Sequence, residues 1–140
     1  MKNYDKIVFE KMVLIARNDD KQAEQWLMDN DYQELKEFWD AYAGMEKSFK
    51  WLLENDYRQL AATVDALNGN DQAKVFLLSS GNRELAAFVD ASAGSKNAVV
   101  WLLKFKHPGW VLVAKEIFDK EKKKDRSFFS SFLNFGNPFR

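Results

Sequence analysis

The sequence predicts an all-α fold: an α-solenoid in which short αα-hairpins of 25-residue period, about nine or ten helices in all, stack into a right-handed superhelix. Three observations carry this. Trp26, Trp51, Phe76 and Trp101 stand 25 residues apart, and each is followed by Leu and then by Leu or Met. Gly44, Gly69 and Gly94 keep the same spacing, as do Asp40-Ala41, Asp65-Ala66 and Asp90-Ala91. Two Pro and six Gly in 140 residues suit helices joined by tight turns. The absence of Cys excludes disulfides, thiolate metal sites and Cys nucleophiles. A fixed period of this size marks stacked supersecondary units.

The elements follow in chain order. A first helix over 4–17 is expected to cap the array, with Ile7 and Val13 in register with Tyr32 and Phe38 and with Glu10 at the Leu35 position. Full repeats occupy 26–50, 51–75 and 76–100. Asp20, Asn70 and Ser95 are capping residues at the start of a short helix, and Met45 is the exception. After a turn such as Ser79-Ser80-Gly81, a second helix places Leu85, Phe88, Val89 and Ser92 on one face at i, i+3, i+4 and i+7. The same face recurs as Tyr32, Leu35, Phe38, Trp39 and Tyr42, and as Tyr57, Leu60, Val64 and Leu67. Asp31 with Glu34 and Asp56 with Gln59 match capping boxes, and Gly94 ends its helix as a left-handed C′ residue. A lone hairpin of this size cannot bury its apolar faces, so the units must stack.

In a closing unit over 101–119, Lys104–Gly109 replaces the short turn. A longer helix from Trp110 to about Lys124 follows, carrying Val111, Val113, Ala114, Ile117 and Phe118. The chain thus divides into one helical repeat domain, 1–119, and a basic, aromatic segment, 120–140. The period is shorter than the roughly 33–34 residues of ankyrin and tetratricopeptide repeats, whose consensus motifs are absent. The architecture is legible and no family is.

Column by column, the Trp-Leu-Leu spacing predicts inter-repeat core. Tyr32 and Tyr57 are better groove candidates, because their column turns polar as Asn82 and His107. Asp40, Asp65 and Asp90 sit in last helical turns, where a negative charge opposes the macrodipole. The expected partners are backbone N–H groups opening an adjacent helix; the alternative is a row of carboxylates facing a basic ligand. One shared cation is excluded, since packed helices lie roughly 8–10 Å apart while carboxylate ligands sit about 2–2.6 Å from a metal. His107 is the only histidine and has no visible nucleophile or ligand companion. With no phosphate loop, G-x-S-x-G or H-E-x-x-H, neither catalytic residues, metal nor cofactor is expected.

Formal net charge is zero, yet residues 1–40 carry ten acids against six bases and residues 104–140 nine bases against four acids. Linear stacking would make one end negative and the other positive. Phe128, Phe129, Phe132 and Phe135 share one helical face, which Gly136 and Pro138 end. The segment is too apolar for a free solvated tail. It folds back on its own repeats, docks on another chain, or enters a membrane interface.

The expected function is a non-catalytic interaction or scaffold module that binds another protein or peptide. The contact residues are Tyr32, Trp39, Tyr42, Tyr57, Phe128, Phe129, Phe132 and Phe135, with self-association through the tail as a further mode. With neither leader nor span in the sequence, a cytoplasmic location is expected. The alternative is a peripheral binder of anionic surfaces through Lys104, Lys106, Lys115, Lys120, Lys122, Lys123, Lys124 and Arg126. A single Arg in that cluster argues against reading nucleic-acid bases, and the interspersed acids make any membrane affinity weak.

Overall fold

Short polar side chains start three of the helices. The side chains of Asp20, Asn70 and Ser95 accept hydrogen bonds from the backbone N–H groups of Ala23, Ala73 and Ala98 at 2.9, 3.1 and 3.2 Å, as their sequence positions predict. Met45, the exception in that column, makes no side-chain cap. The protein, seen in a computed structural model, is described over residues 3–132, with side chains through Glu121. The described residues form nine α-helices and no strand. They are α1 (Lys6–Asn18), α2 (Lys21–Asp29), α3 (Gln33–Tyr42), α4 (Glu46–Glu54), α5 (Arg58–Leu67), α6 (Asp71–Ser79), α7 (Arg83–Ser92), α8 (Lys96–Lys104) and α9 (Pro108–Phe132).

Two kinds of turn alternate, and both use a left-handed residue. After α3, α5 and α7 it is Gly44, Gly69 and Gly94, with φ of 105°, 97° and 99°. Beyond each, Met45, Asn70 and Ser95 donate N–H to the carbonyls of Asp40, Asp65 and Asp90 at 3.0 Å, which completes a Schellman closure. After α2, α4, α6 and α8 the left-handed residue is Asp31, Asp56, Gly81 or Lys106. The N–H groups of Tyr32, Tyr57, Asn82 and His107 then return to the carbonyls of Leu27, Leu52, Leu77 and Leu102 at 2.7–2.8 Å. Asp31 and Asp56 are therefore helix-ending residues, not members of capping boxes. Asp tolerates the left-handed region better than most residues, which is why it can stand where Gly81 stands.

The odd-numbered helices form the inner layer. α1 packs on α3, α3 on α5, α5 on α7 and α7 on α9; α9 then packs on α1, so the cycle closes. Each even-numbered helix touches only the two odd-numbered helices that flank it in the chain. The first and last helices are neighbours, so residues 108–121 lie beside the acidic N-terminal portion. Among the described residues α1 and α9 do not stand at opposite ends, as linear stacking would require.

Burial corrects the reading of the aromatic column. The apolar spine is the residue after each aromatic: Leu27, Leu52, Leu77 and Leu102 are 0% exposed. Trp26, Trp51 and Trp101 are half-buried against the core, and Phe76 is 40% exposed. The third column, Met28, Leu53, Leu78 and Leu103, faces outward. Trp26 stacks on Tyr32 (centroids 6.0 Å, 7° between planes), Trp51 on Tyr57 (5.9 Å, 9°) and Trp101 on His107 (6.1 Å, 15°). Tyr32 and Tyr57 thus spend one ring face on their own turn.

α1 is offset from the repeat. Its buried face is Val8, Phe9, Met12, Ile15 and Ala16, one residue ahead of the 25-residue register over its first half, while Ile7 and Glu10 are exposed. The shift places Phe9 against Trp110 of α9 (5.1 Å, 76°). Arg17 of α1 donates to Glu116 of α9 at 2.7 Å across the same seam.

Candidate functional site

The inner helices run in one direction, since an even-numbered helix returns the chain between each pair. Their two ends differ. At the N-terminal end Tyr4 fills the centre, 6.0–6.4 Å from the rings of Tyr32, Phe9 and Trp110. Its hydroxyl donates to Glu34 at 3.0 Å, a carboxylate only 1% exposed in the first turn of α3. The C-terminal end is open. There a cavity of about 1020 Å³ is lined by the last turns of α1, α3, α5 and α7 and by the middle of α9. Ile15, Ala16, Trp39, Ala66, Val89 and Ile117 supply its buried apolar wall. Asp19, Glu24, Asp40, Lys120 and Glu121 supply its charged groups.

Two aromatic rings form a corner in this cavity. Trp39 and Tyr42 meet edge to face at 6.0 Å and 77°. Trp39 is 6% exposed, and its enclosed Nε1 is left without an acceptor among the described residues. The Tyr42 hydroxyl shares the cavity with Glu121 of α9, whose negative charge acts on it. Around the rim Lys21 bridges Asp19 (3.4 Å) and Glu24 (3.3 Å), and Lys36 holds Asp40 at 2.7 Å. The aligned peptide dipoles of α1, α3, α5 and α7 end at this mouth, each contributing partial negative charge, while α9 runs on past it.

The structure sorts the residues singled out in the sequence. Trp39 and Tyr42 are brought together at the cavity, whereas Tyr32 and Tyr57 lie at the far end of their helices, stacked on tryptophans. Lys120 reaches the mouth; Lys104 and Lys106 precede α9 at the opposite end, and Lys115 is exposed between them. These four do not share one patch. The backbone of Lys122, Lys123, Lys124, Arg126, Phe128, Phe129 and Phe132 continues α9, but their side chains, and all of Phe135, lie outside the described residues. Two of the three aspartates of the column are corrected in their partners: Asp40 pairs with Lys36 and Asp90 with Lys74 at 3.1 Å, rather than with backbone N–H groups. The closing helix and the acids Asp19, Glu24 and Glu121 joined the site unannounced, since only the meeting of α1 and α9 places them beside Asp40.

No family model matches this chain. No curated protein and no solved structure matches it either. The chemistry must be read from the cavity itself. Among the described residues no three His, Asp or Glu side chains are gathered as metal ligands, and no helix is long and apolar enough to cross a membrane.

The mouth has a measurable pH signature. Burial first, and then the charge of Glu121, push the Tyr42 hydroxyl up to about 12. Burial and Glu34 push Tyr4 upward as well. Unfolded chains ionise tyrosine near pH 10, so above that pH the unfolded state loses protons the folded state retains. These contributions to stability are therefore intact below about pH 10, and that of Tyr42 is lost as pH rises toward about 12. Urea midpoints measured across that window should fall steeply for the native chain and less steeply for Tyr42→Phe. Equal slopes would remove Tyr42 from a buried, Glu121-linked position.

Proposed function

We propose that this chain is a right-handed α-solenoid of 25-residue αα-hairpins, closed by α1 on α9, that serves in the cytoplasm as a non-catalytic protein-interaction module. Its binding site is the cavity at the C-terminal ends of the inner helices, and its ligand is a segment of a protein that presents basic groups flanked by apolar side chains. The observation that carries this reading is the composition of that cavity: an apolar wall, the Trp39–Tyr42 corner, and carboxylates set among helix C-termini.

The physical fit is direct. A volume of about 1020 Å³ exceeds what one side chain fills and suits several. An Arg or Lys entering the mouth meets the negative ends of the helix dipoles and can replace Lys21, which is 74% exposed and so easily displaced from Asp19 and Glu24. Aromatic faces add cation–π attraction of about 0.5–2 kcal/mol.

The test uses a synthetic amphipathic peptide of Lys, Leu and Phe, with a counterpart carrying Glu for Lys. The basic peptide should bind, shift the Trp39 indole resonance, and lose affinity as salt rises and on Asp40→Asn. The acidic peptide should not bind. Equal binding of both, or binding that leaves Trp39 unmoved, would sink this reading.

A further inference from the structure

α9 is 25 residues long, whereas α1, α3, α5 and α7 span 10 to 13. By the repeat, Ile117 is the counterpart of Tyr42, Leu67 and Ser92, where α3, α5 and α7 end. α9 therefore overshoots the inner layer by about 15 residues, roughly 22 Å at 1.5 Å per residue. It leaves from the cavity mouth, because Ile117, Phe118, Lys120 and Glu121 line that cavity.

The overshoot has the composition the cavity calls for. Residues 122–132 hold three Phe, with four basic residues against one acid. A projecting helix of this length is marginal in water unless something packs on it. The chain's own cavity cannot serve residues 122–132, since α9 runs unbroken through Phe132 and makes no reversal. A second molecule facing the first, mouth to mouth, can serve them. Two such helices placed antiparallel each carry their basic and aromatic residues toward the other copy's acidic, apolar-walled mouth.

We propose that the C-terminal extension of α9 seats in the cavity of a second copy of this chain, reciprocally, as a twofold dimer. The arrangement is isologous and closes at two copies, so it does not propagate into fibres. It rests on the reading of the cavity as a site for basic, apolar segments, and it names the first such segment as the chain's own.

The experiment is sedimentation equilibrium on the full chain and two full-length variants. Ala43→Lys with Ala93→Lys adds charge and bulk at two exposed residues of the cavity lining. Phe129→Asp with Phe132→Asp alters the extension alone. The native chain should dimerise, and each variant should dimerise about thirtyfold or more weakly, as expected on losing central interface anchors. Mixed together, the two variants should associate better than either alone, because one intact extension then meets one intact mouth. A native chain that stays monomeric at its highest soluble concentration overturns the dimer. So does a dimer that either pair of substitutions leaves unchanged, since association would then run through another surface.

The basic peptide separates this failure from that of the cavity reading. The Phe129→Asp, Phe132→Asp variant presents an open mouth and should still take the peptide. If it does while the native chain is monomeric, only the dimer is lost. If it does not, and the native chain is monomeric, both ideas fall.

Discussion

Replacing Gly109 by Ala should destabilise the protein by about 3 kcal/mol, although Ala is the better helix former by about 1 kcal/mol. Gly109 follows Pro108 in the first turn of α9. A Cβ there would lie 2.2 Å from Cδ2 and 2.3 Å from Cγ of Phe9 in α1. That ring has nowhere to go: it meets Trp110 edge to face at 5.1 Å and Tyr4 at 6.2 Å. The clash must therefore push α9 away from α1 and loosen the seam that Arg17 and Glu116 also hold. Phe9→Ala alone should cost about 3–5 kcal/mol through the cavity it leaves. In the double variant the added methyl meets space instead of a ring, so the two effects should fall short of their sum by about 1–3 kcal/mol. Urea denaturation of the four proteins gives the coupling directly. A Gly109→Ala protein as stable as the native chain would mean that α1 and α9 do not meet as described.

That seam is also where the sequence was least legible. Everything repeated every 25 residues could be read: the caps at Asp20, Asn70 and Ser95, the left-handed Gly44, Gly69 and Gly94, and the inner faces around Leu35, Leu60 and Leu85. Closure is written once. Its only trace is that Gly109-Trp110 stands where Glu34-Leu35, Gln59-Leu60 and Glu84-Leu85 stand elsewhere, a small residue beside a large one. Without knowing that Phe9 arrives there, the change looks like a drifting last repeat. The one-residue offset of α1 hid Phe9 in turn, because alignment by 25 puts Glu10 at the core position.

Two columns carried a signal that was open to reading. Where Tyr32, Tyr57 or His107 supplies a ring, the residue six earlier is Trp; where Asn82 supplies none, it is Phe76. The paired change marks the stack, with Asn82 instead donating its amide to the Ser80 carbonyl and hydroxyl at 3.3 and 3.1 Å. The cavity lay beyond such reasoning. Its lining occupies equivalent positions on five helices but unlike residues, Tyr42, Leu67, Ser92 and Ile117 among them. Only the meeting of α1 with α9 turns those helix ends into one enclosure in which acids outnumber bases.

The relative weight of two tryptophans decides between a closed array and an open one. Trp110→Ala should cost about 3–5 kcal/mol, since the indole is buried and joins three helices. It lies 5.1 Å from Phe9 of α1 and 4.7 Å from Phe88 of α7, with Tyr4 at 6.4 Å. Trp51→Ala should cost only about 1–2 kcal/mol: Trp51 is half-buried on the outer layer, and its one ring partner among the described residues is Tyr57. An open stack predicts the reverse order. There the repeated tryptophans would form the spine between units, and Trp110 would sit on a terminal helix with one neighbour fewer. Leu52→Ala, at a 0% exposed spine position, serves as the internal standard and should lose about 2–5 kcal/mol in either architecture. If Trp51→Ala proves more damaging than Trp110→Ala while Leu52→Ala behaves as expected, the α1–α9 contact is not holding the fold together. The cavity, whose wall depends on that contact, would open with it.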